Sequence, residues 1–144
     1  MKIQSVFNNK EVIPRKYTAD GEDVNPPIEI IDAPVNAKGF ALIIDDPDAP
    51  IGDWVHWIVF NIPADIKKID ENSVPKNSKE GINDFKRLRY GGPSPPSGTH
   101  RYFFKLYALD TLLNLSNPRK ADLERAMQGH ILAKAELIGL YSSK

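Results

Sequence analysis

Histidine is scarce in this chain, and two of its three copies follow proline-rich turns. His56 comes shortly after Asp46-Pro47-Asp48-Ala49-Pro50 and Trp54. His100 comes after Gly91-Gly92-Pro93-Ser94-Pro95-Pro96 and opens His100-Arg101-Tyr102. Two imidazoles beside two carboxylates could ligate a metal, run acid–base chemistry or hold an anion. Such ligands suit zinc or iron, but no local spacing of the His-Glu-x-x-His kind is present, which leaves only a site assembled from distant segments. For nucleophilic catalysis, Ser94 lies in Gly-Gly-Pro-Ser-Pro-Pro rather than Gly-x-Ser-x-Gly, and its flanking prolines lack the amides of an oxyanion hole. Ser97 sits in no motif either. The absence of cysteine removes disulfides, thiolate catalysis and cysteine-bound metal. The reading therefore names no catalytic residue, no metal and no cofactor.

The anion reading fits these residues best. A phosphate or carboxylate needs donors, and protonated imidazoles, a tyrosine hydroxyl and free turn amides supply them. His56, His100, Tyr102 and the Gly91-Gly92 turn can do so. The expected role of Asp46 is to hold a histidine ring and raise its pKa, so that an imidazolium persists near neutrality. Plainer roles stand beside these: an Asp before Pro is commonly a turn former, and a His on an apolar strand is commonly a satisfied core residue. Trp54 and Trp57 are three apart, so in a regular strand they face opposite sides. His130 is read as a helix-end residue favourable to the dipole.

These residues need a scaffold. A chain of 144 residues makes one domain with one sizeable core, here 1–144. Nineteen basic residues balance nineteen acidic ones, which argues against nucleic acid and anionic membrane surfaces as partners. The N-terminus does not read as a signal peptide and no stretch approaches a membrane span, so a cytoplasmic protein without integral membrane association is expected. Twelve prolines, about 8% against a usual ~5%, must occupy turns and loops. Apolar and β-branched runs predict strands at 39–44 and 54–62. The alternation of Tyr102, Phe104, Leu106 and Ala108 with Arg101, Phe103, Lys105 and Tyr107 predicts one at 101–109, and 2–7 and 28–31 are weaker candidates. One helix is expected, capped at Asn117-Pro118 and ending at Gly129 or His130. Residues 131–141 alternate as a strand, with helix as the alternative, and 65–89 reads as surface loops.

Two segments resemble the signature regions of the phosphatidylethanolamine-binding protein family, which includes the Raf kinase inhibitor proteins. They are Asp46-Pro-Asp-Ala-Pro50 with Trp54-Val-His56, and Gly91-Gly-Pro-Ser-Pro-Pro96 with His100-Arg-Tyr102. Residues 17–27 and 129–139 resemble its prokaryotic branch. The resemblance implies an all-β-dominated fold with a large central antiparallel sheet packed on a smaller one, and one or two short helices. It implies an anion pocket lined by Asp46, His56, His100 and Tyr102, with Asp48, Trp54, Gly92 and Pro95 on adjoining walls. It also makes Ala49–Pro50 a candidate cis bond. Three departures stand out. Val55 replaces a second histidine usual in eukaryotic members, the 50–54 loop is short and lacks a tyrosine, and the sequence closes soon after Gly139.

The functional expectation is a non-catalytic module binding phosphate or a phosphorylated small molecule or headgroup. A protease or kinase is the protein target such a modulator would take, and homodimerisation is a family expectation. Two alternatives stand beside it: a serine protease inhibitor acting through a surface loop, and a hydrolase or isomerase using Asp46 and His56 as an acid–base pair.

Overall fold

The computed structural model describes residues 1–143. Nine strands, β1 (Lys2–Gln4), β2 (Glu11–Val12), β3 (Ile28–Ile31), β4 (Gly39–Asp46), β5 (Trp54–Pro63), β6 (Lys68–Ile69), β7 (Lys79–Glu80), β8 (His100–Leu109) and β9 (Ile131–Tyr141), are joined by one helix, α1 (Lys120–Met127), and a 3-10 turn at Arg15–Tyr17. Six strands form one sheet in the order β2-β9-β8-β4-β5-β7, and β1-β3-β6 form a second. The large sheet is antiparallel apart from β2, which lies parallel to β9.

Every residue of β4 is buried, which is why its sequence is a continuous apolar run rather than an alternation. Phe40, Leu42 and Ile44 face the small sheet and share a core with Ile3, Ile28, Ile30, Ile69, Phe104 and Leu106. Ala41 and Ile43 face the other way, onto Leu123 and Met127 of α1 with Leu113. On β8, Tyr102, Phe104, Leu106 and Ala108 fall on the inter-sheet face, as their alternation implies.

The helix begins two residues later than expected. Asn117 takes a left-handed φ of 48° and the carbonyl of Pro118 accepts Ile82 N–H at 2.8 Å, so the turn starts at Arg119. There Asp122 accepts the Arg119 N–H at 2.9 Å. Gly129, at φ 79°, ends the segment. Within 65–89 two short strands pair onto the sheets, and β2 went unforeseen; at two residues each, none carries a readable period. The Ala49–Pro50 bond is trans, like every other bond among the described residues, and the 49–52 turn is closed by a Gly52 N–H to Ala49 carbonyl bond of 3.0 Å.

One irregularity governs the site. Ile44 pairs with Trp57 but Asp45 pairs with Val55, leaving His56 as the extra residue of a β-bulge. Val55 and Trp57, two apart, would share a face in a regular strand. Instead Val55 packs in the helix-side core and Trp57 in the inter-sheet core. The bulge thereby overturns the expectation that Trp54 and Trp57 face opposite sides, and it turns His56 toward Tyr102.

Candidate functional site

At the end of β4 and the start of β5, where both proline turns converge on the start of β8, lies a cavity of 250 Å³. Its polar lining is Asp46, His56, His100, Tyr102 and Ser94. The rest is apolar: Ala49, Pro50, Ile51, Trp54, Phe85, Pro95 and Pro96. Larger clefts lie elsewhere, but this one gathers two buried imidazoles, a buried carboxylate and a buried phenol.

Each polar group has a fixed orientation. Asp46 Oδ2 meets His100 Nδ1 at 2.7 Å, and Asp46 Oδ1 accepts the Asp48 N–H at 2.7 Å. Both carboxylate oxygens are thus engaged, and His100 Nδ1 carries the proton of that bond. The ring's free edge is Nε2. His56 Nδ1 lies 2.6 Å from the Gly91 carbonyl, an obligate acceptor, so Nδ1 is again the protonated nitrogen and Nε2 is free. Phe85 and Tyr102 pack edge-on against the His56 ring at 5.4 and 5.2 Å, and Trp54 packs on Phe85 at 5.4 Å.

Burial pushes the His56 imidazole below its ordinary pKa, against the Gly91 carbonyl and the charges of Asp46, Asp45 and Asp23, which pull it up. Asp46 holds the other ring, His100, so at His56 desolvation outweighs the more distant carboxylates and favours the neutral imidazole. Burial and the nearby Asp46 charge push the Tyr102 phenol up, so its hydroxyl stays protonated and able to donate.

Of the residues named from sequence, Asp46, Trp54, His56, Pro95, His100 and Tyr102 line the cavity. Asp48 and Gly92 do not. Asp48 turns outward to a two-pronged pair with Arg101, Nε to Oδ2 and Nη2 to Oδ1 both at 2.9 Å, and accepts the Arg101 N–H at 3.0 Å. The guanidinium lowers its carboxyl to about 2. Asp48 therefore fastens the first proline turn to β8. Gly92 packs into the 3-10 turn: its N–H donates to Asp23 Oδ1 at 2.7 Å, and an added Cβ would stand 2.6 Å from the Tyr17 carbonyl oxygen.

Phe85, Ile51, Pro50, Ala49, Ser94 and Pro96 were missed as lining residues. The prolines read as turn formers and Ser94 as a poorly placed nucleophile, whereas Phe85 lies in a charged stretch where nothing marks it. The acid–base alternative also changes, because the carboxylate pairs with His100 rather than His56. Neither Ser94 nor Ser97 forms a side-chain hydrogen bond to a histidine or carboxylate among the described residues. No group of three His, Asp or Glu residues among them is placed to hold a metal ion, and no helix is long and apolar enough to cross a membrane.

Comparison with known proteins agrees with this architecture. The chain is 51% identical over 141 residues to a UPF0098 protein of Methanothermobacter thermautotrophicus, covering 94% of this chain and 93% of that one. It is 47% identical over 153 residues to a UPF0098 protein of Pyrococcus horikoshii, covering all of this chain and 77% of the relative. A crystal structure of a Chlamydia trachomatis homologue of phosphatidylethanolamine-binding protein superposes with a TM-score of 0.95 at 37% identity, over 99% of this chain and 97% of that one. The crystal structure of E. coli YbcL, described as a new member of the mammalian PEBP family, gives 0.90 at 28% identity, over 99% of this chain and 98% of that one. The family profile for phosphatidylethanolamine-binding protein matches residues 3–142, nearly the whole length, and the chain belongs to that family.

Proposed function

We propose that this chain is a non-catalytic binding protein whose 250 Å³ cavity takes a phosphoryl group or a like anion carried on a small molecule or headgroup. The observation that carries this reading is the fixed pair of imidazoles. Asp46 and the Gly91 carbonyl occupy both Nδ1 atoms, leaving two Nε2 atoms and the Tyr102 hydroxyl to meet the ligand. Both oxygens of Asp46 are bonded, so its charge supports His100 rather than facing the ligand as a bare repulsive group. The apolar rim of Trp54, Phe85, Ile51 and the prolines suits whatever the anion is attached to, and Ile51 is 83% exposed at its tip. Binding of this kind makes the chain a modulator of another molecule rather than a catalyst.

Calorimetric titration with inorganic phosphate and with phosphoethanolamine at pH 6 tests this. Both should bind, and His56→Ala and His100→Ala should each weaken binding by at least roughly tenfold, given about 1.5–3 kcal/mol for a hydrogen bond to a charged group. Absence of binding by the wild type, or affinities unmoved by either change, would overturn the assignment.

A further inference from the structure

Residues 84–89 read Asp-Phe-Lys-Arg-Leu-Arg and place three cations within four positions of a chain that is neutral overall. Asp84 turns inward, its Oδ2 accepting the Val55 N–H at 2.6 Å, while residues 85–89 are exposed. None of Lys86, Arg87 and Arg89 forms an ion pair among the described residues.

The loop is held in one shape from beneath. Asn83, 1% exposed, donates through Nδ2 to the carbonyls of His56 and Arg89 at 3.1 and 2.6 Å. Its Oδ1 accepts the N–H groups of Phe85 and Arg87, both at 3.0 Å. Lys86 sits at φ 63°, a left-handed position that glycine adopts more easily than a residue with a Cβ.

Arg87 and Arg89 line a cavity of 290 Å³ with Asn83, Gly91 and Gly92, and this cavity shares Phe85 and Ser94 with the histidine cavity. Asp23 also lines it, with Oδ1 bonded to the Gly92 N–H.

We propose that the 85–89 loop and this cavity form a docking surface for an acidic peptide segment of a partner protein. The guanidinium fork matches a carboxylate in two-pronged geometry. Phe85 and Leu88, 39% and 45% exposed, set apolar contacts between the cations, the mixture a protein interface uses. The arginines border a concavity, which receives discrete side chains better than a flat bilayer does. A nucleic acid would call for a longer basic stripe than one loop of a neutral chain offers. The proposal does not depend on an anion in the histidine cavity.

Fluorescence anisotropy with a fluorescein-labelled hexaglutamate peptide and the intact protein tests it. Binding should weaken steeply with salt. Arg87→Gln with Arg89→Gln should weaken it roughly tenfold, and Lys86→Gly about threefold, as expected for exposed ion pairs. Because glycine relaxes the left-handed position, Lys86→Gly should leave the Tm unchanged or raise it, so its loss of affinity is not a folding defect. The double variant should leave the phosphate titration unchanged. Hexaglutamate binding that persists when the wild type fails to bind phosphate would count against the anion cavity alone. Three results would overturn the docking surface: no hexaglutamate binding at low salt, equal affinity in the double variant, or tighter loop-dependent binding to phosphatidylserine-containing vesicles or single-stranded DNA.

Discussion

Anion binding should draw a proton onto His56. The ring is buried, its Nδ1–H is committed to Gly91, and its pKa lies below the ordinary 6.5. At pH 7.5 fewer than about one molecule in ten then carries the imidazolium. A neutral Nε2 presents a lone pair to an anion, which repels it, so productive binding requires protonation. Above that pKa each pH unit should cost about 1.36 kcal/mol, a tenfold loss of affinity. The groups facing this ring are Asp46, Asp45, Asp23, Tyr102 and the Gly91 carbonyl. The slope is assigned to this imidazole by its loss in His56→Asn. Sulfate is the probe of choice because it does not titrate near neutrality. Calorimetric titrations at pH 7.5 in buffers of different ionisation enthalpy should show about one proton per sulfate taken up from the buffer by His56. The count should fall by about one in His56→Asn. Sulfate binding with no proton uptake, or with affinity flat between pH 6.5 and 8, would refute the reasoning.

Other outcomes follow from the same geometry. Without ligand, the depressed His56 pKa means the unfolded chain binds more protons, so stability should fall as pH drops from 7.5 through 6.5 and below, by up to about 1.4 kcal/mol per unit of depression, with sulfate reversing the trend in urea unfolding curves. Tyr102→Phe keeps the ring packed in the core but removes the hydroxyl donor; the Tm should hold within a few degrees while sulfate affinity drops roughly tenfold by calorimetry. Gly92→Ala drives a methyl into the Tyr17 carbonyl and Thr18 Cα, 2.6 and 2.9 Å away, and should cost about 1–3 kcal/mol in chemical denaturation. Lys120 bridges buried Asp45 at 2.7 Å and Asp53 at 2.6 Å, while Lys105 supports Asp45 at 3.0 Å. Asp45 Oδ1 is already without a partner among the described residues. Lys120→Met should therefore cost about 2 kcal/mol, less than a fully broken buried pair because Lys105 remains.

Much of this was legible from the residues. The runs at 39–44 and 54–62 announce buried strands because both faces of the central sheet are covered there, and the alternations of β8 and β9 survive because one face of each is partly open to solvent. The convergence of Asp46, His56, His100 and Tyr102 was readable through the paired signatures rather than through spacing. What stayed hidden has physical causes. A bulge changes side-chain phase without a marker in composition, so the shared side of Trp54 and Trp57 could not be read from a period of two. Gly92 looks like a turn donor, yet its lack of a Cβ serves close approach to the 3-10 turn. Asp48 carries the acid of the signature but spends it on Arg101, an association made only in the folded chain. Phe85 is one aromatic in a charged loop, and its place beside His56 depends on the Asn83 scaffold beneath it.

The central claim is that His56 and His100 present their Nε2 atoms to a bound anion. Long-range proton–nitrogen correlation spectra of the imidazoles during a phosphate titration at pH 7.5 address it directly. The account predicts that His56 Nε2 converts from unprotonated to protonated as phosphate is added, with His100 shifting over the same concentration range and exposed His130 staying still. Phosphate binding that leaves the His56 nitrogens unmoved, while perturbing residues elsewhere, would contradict it.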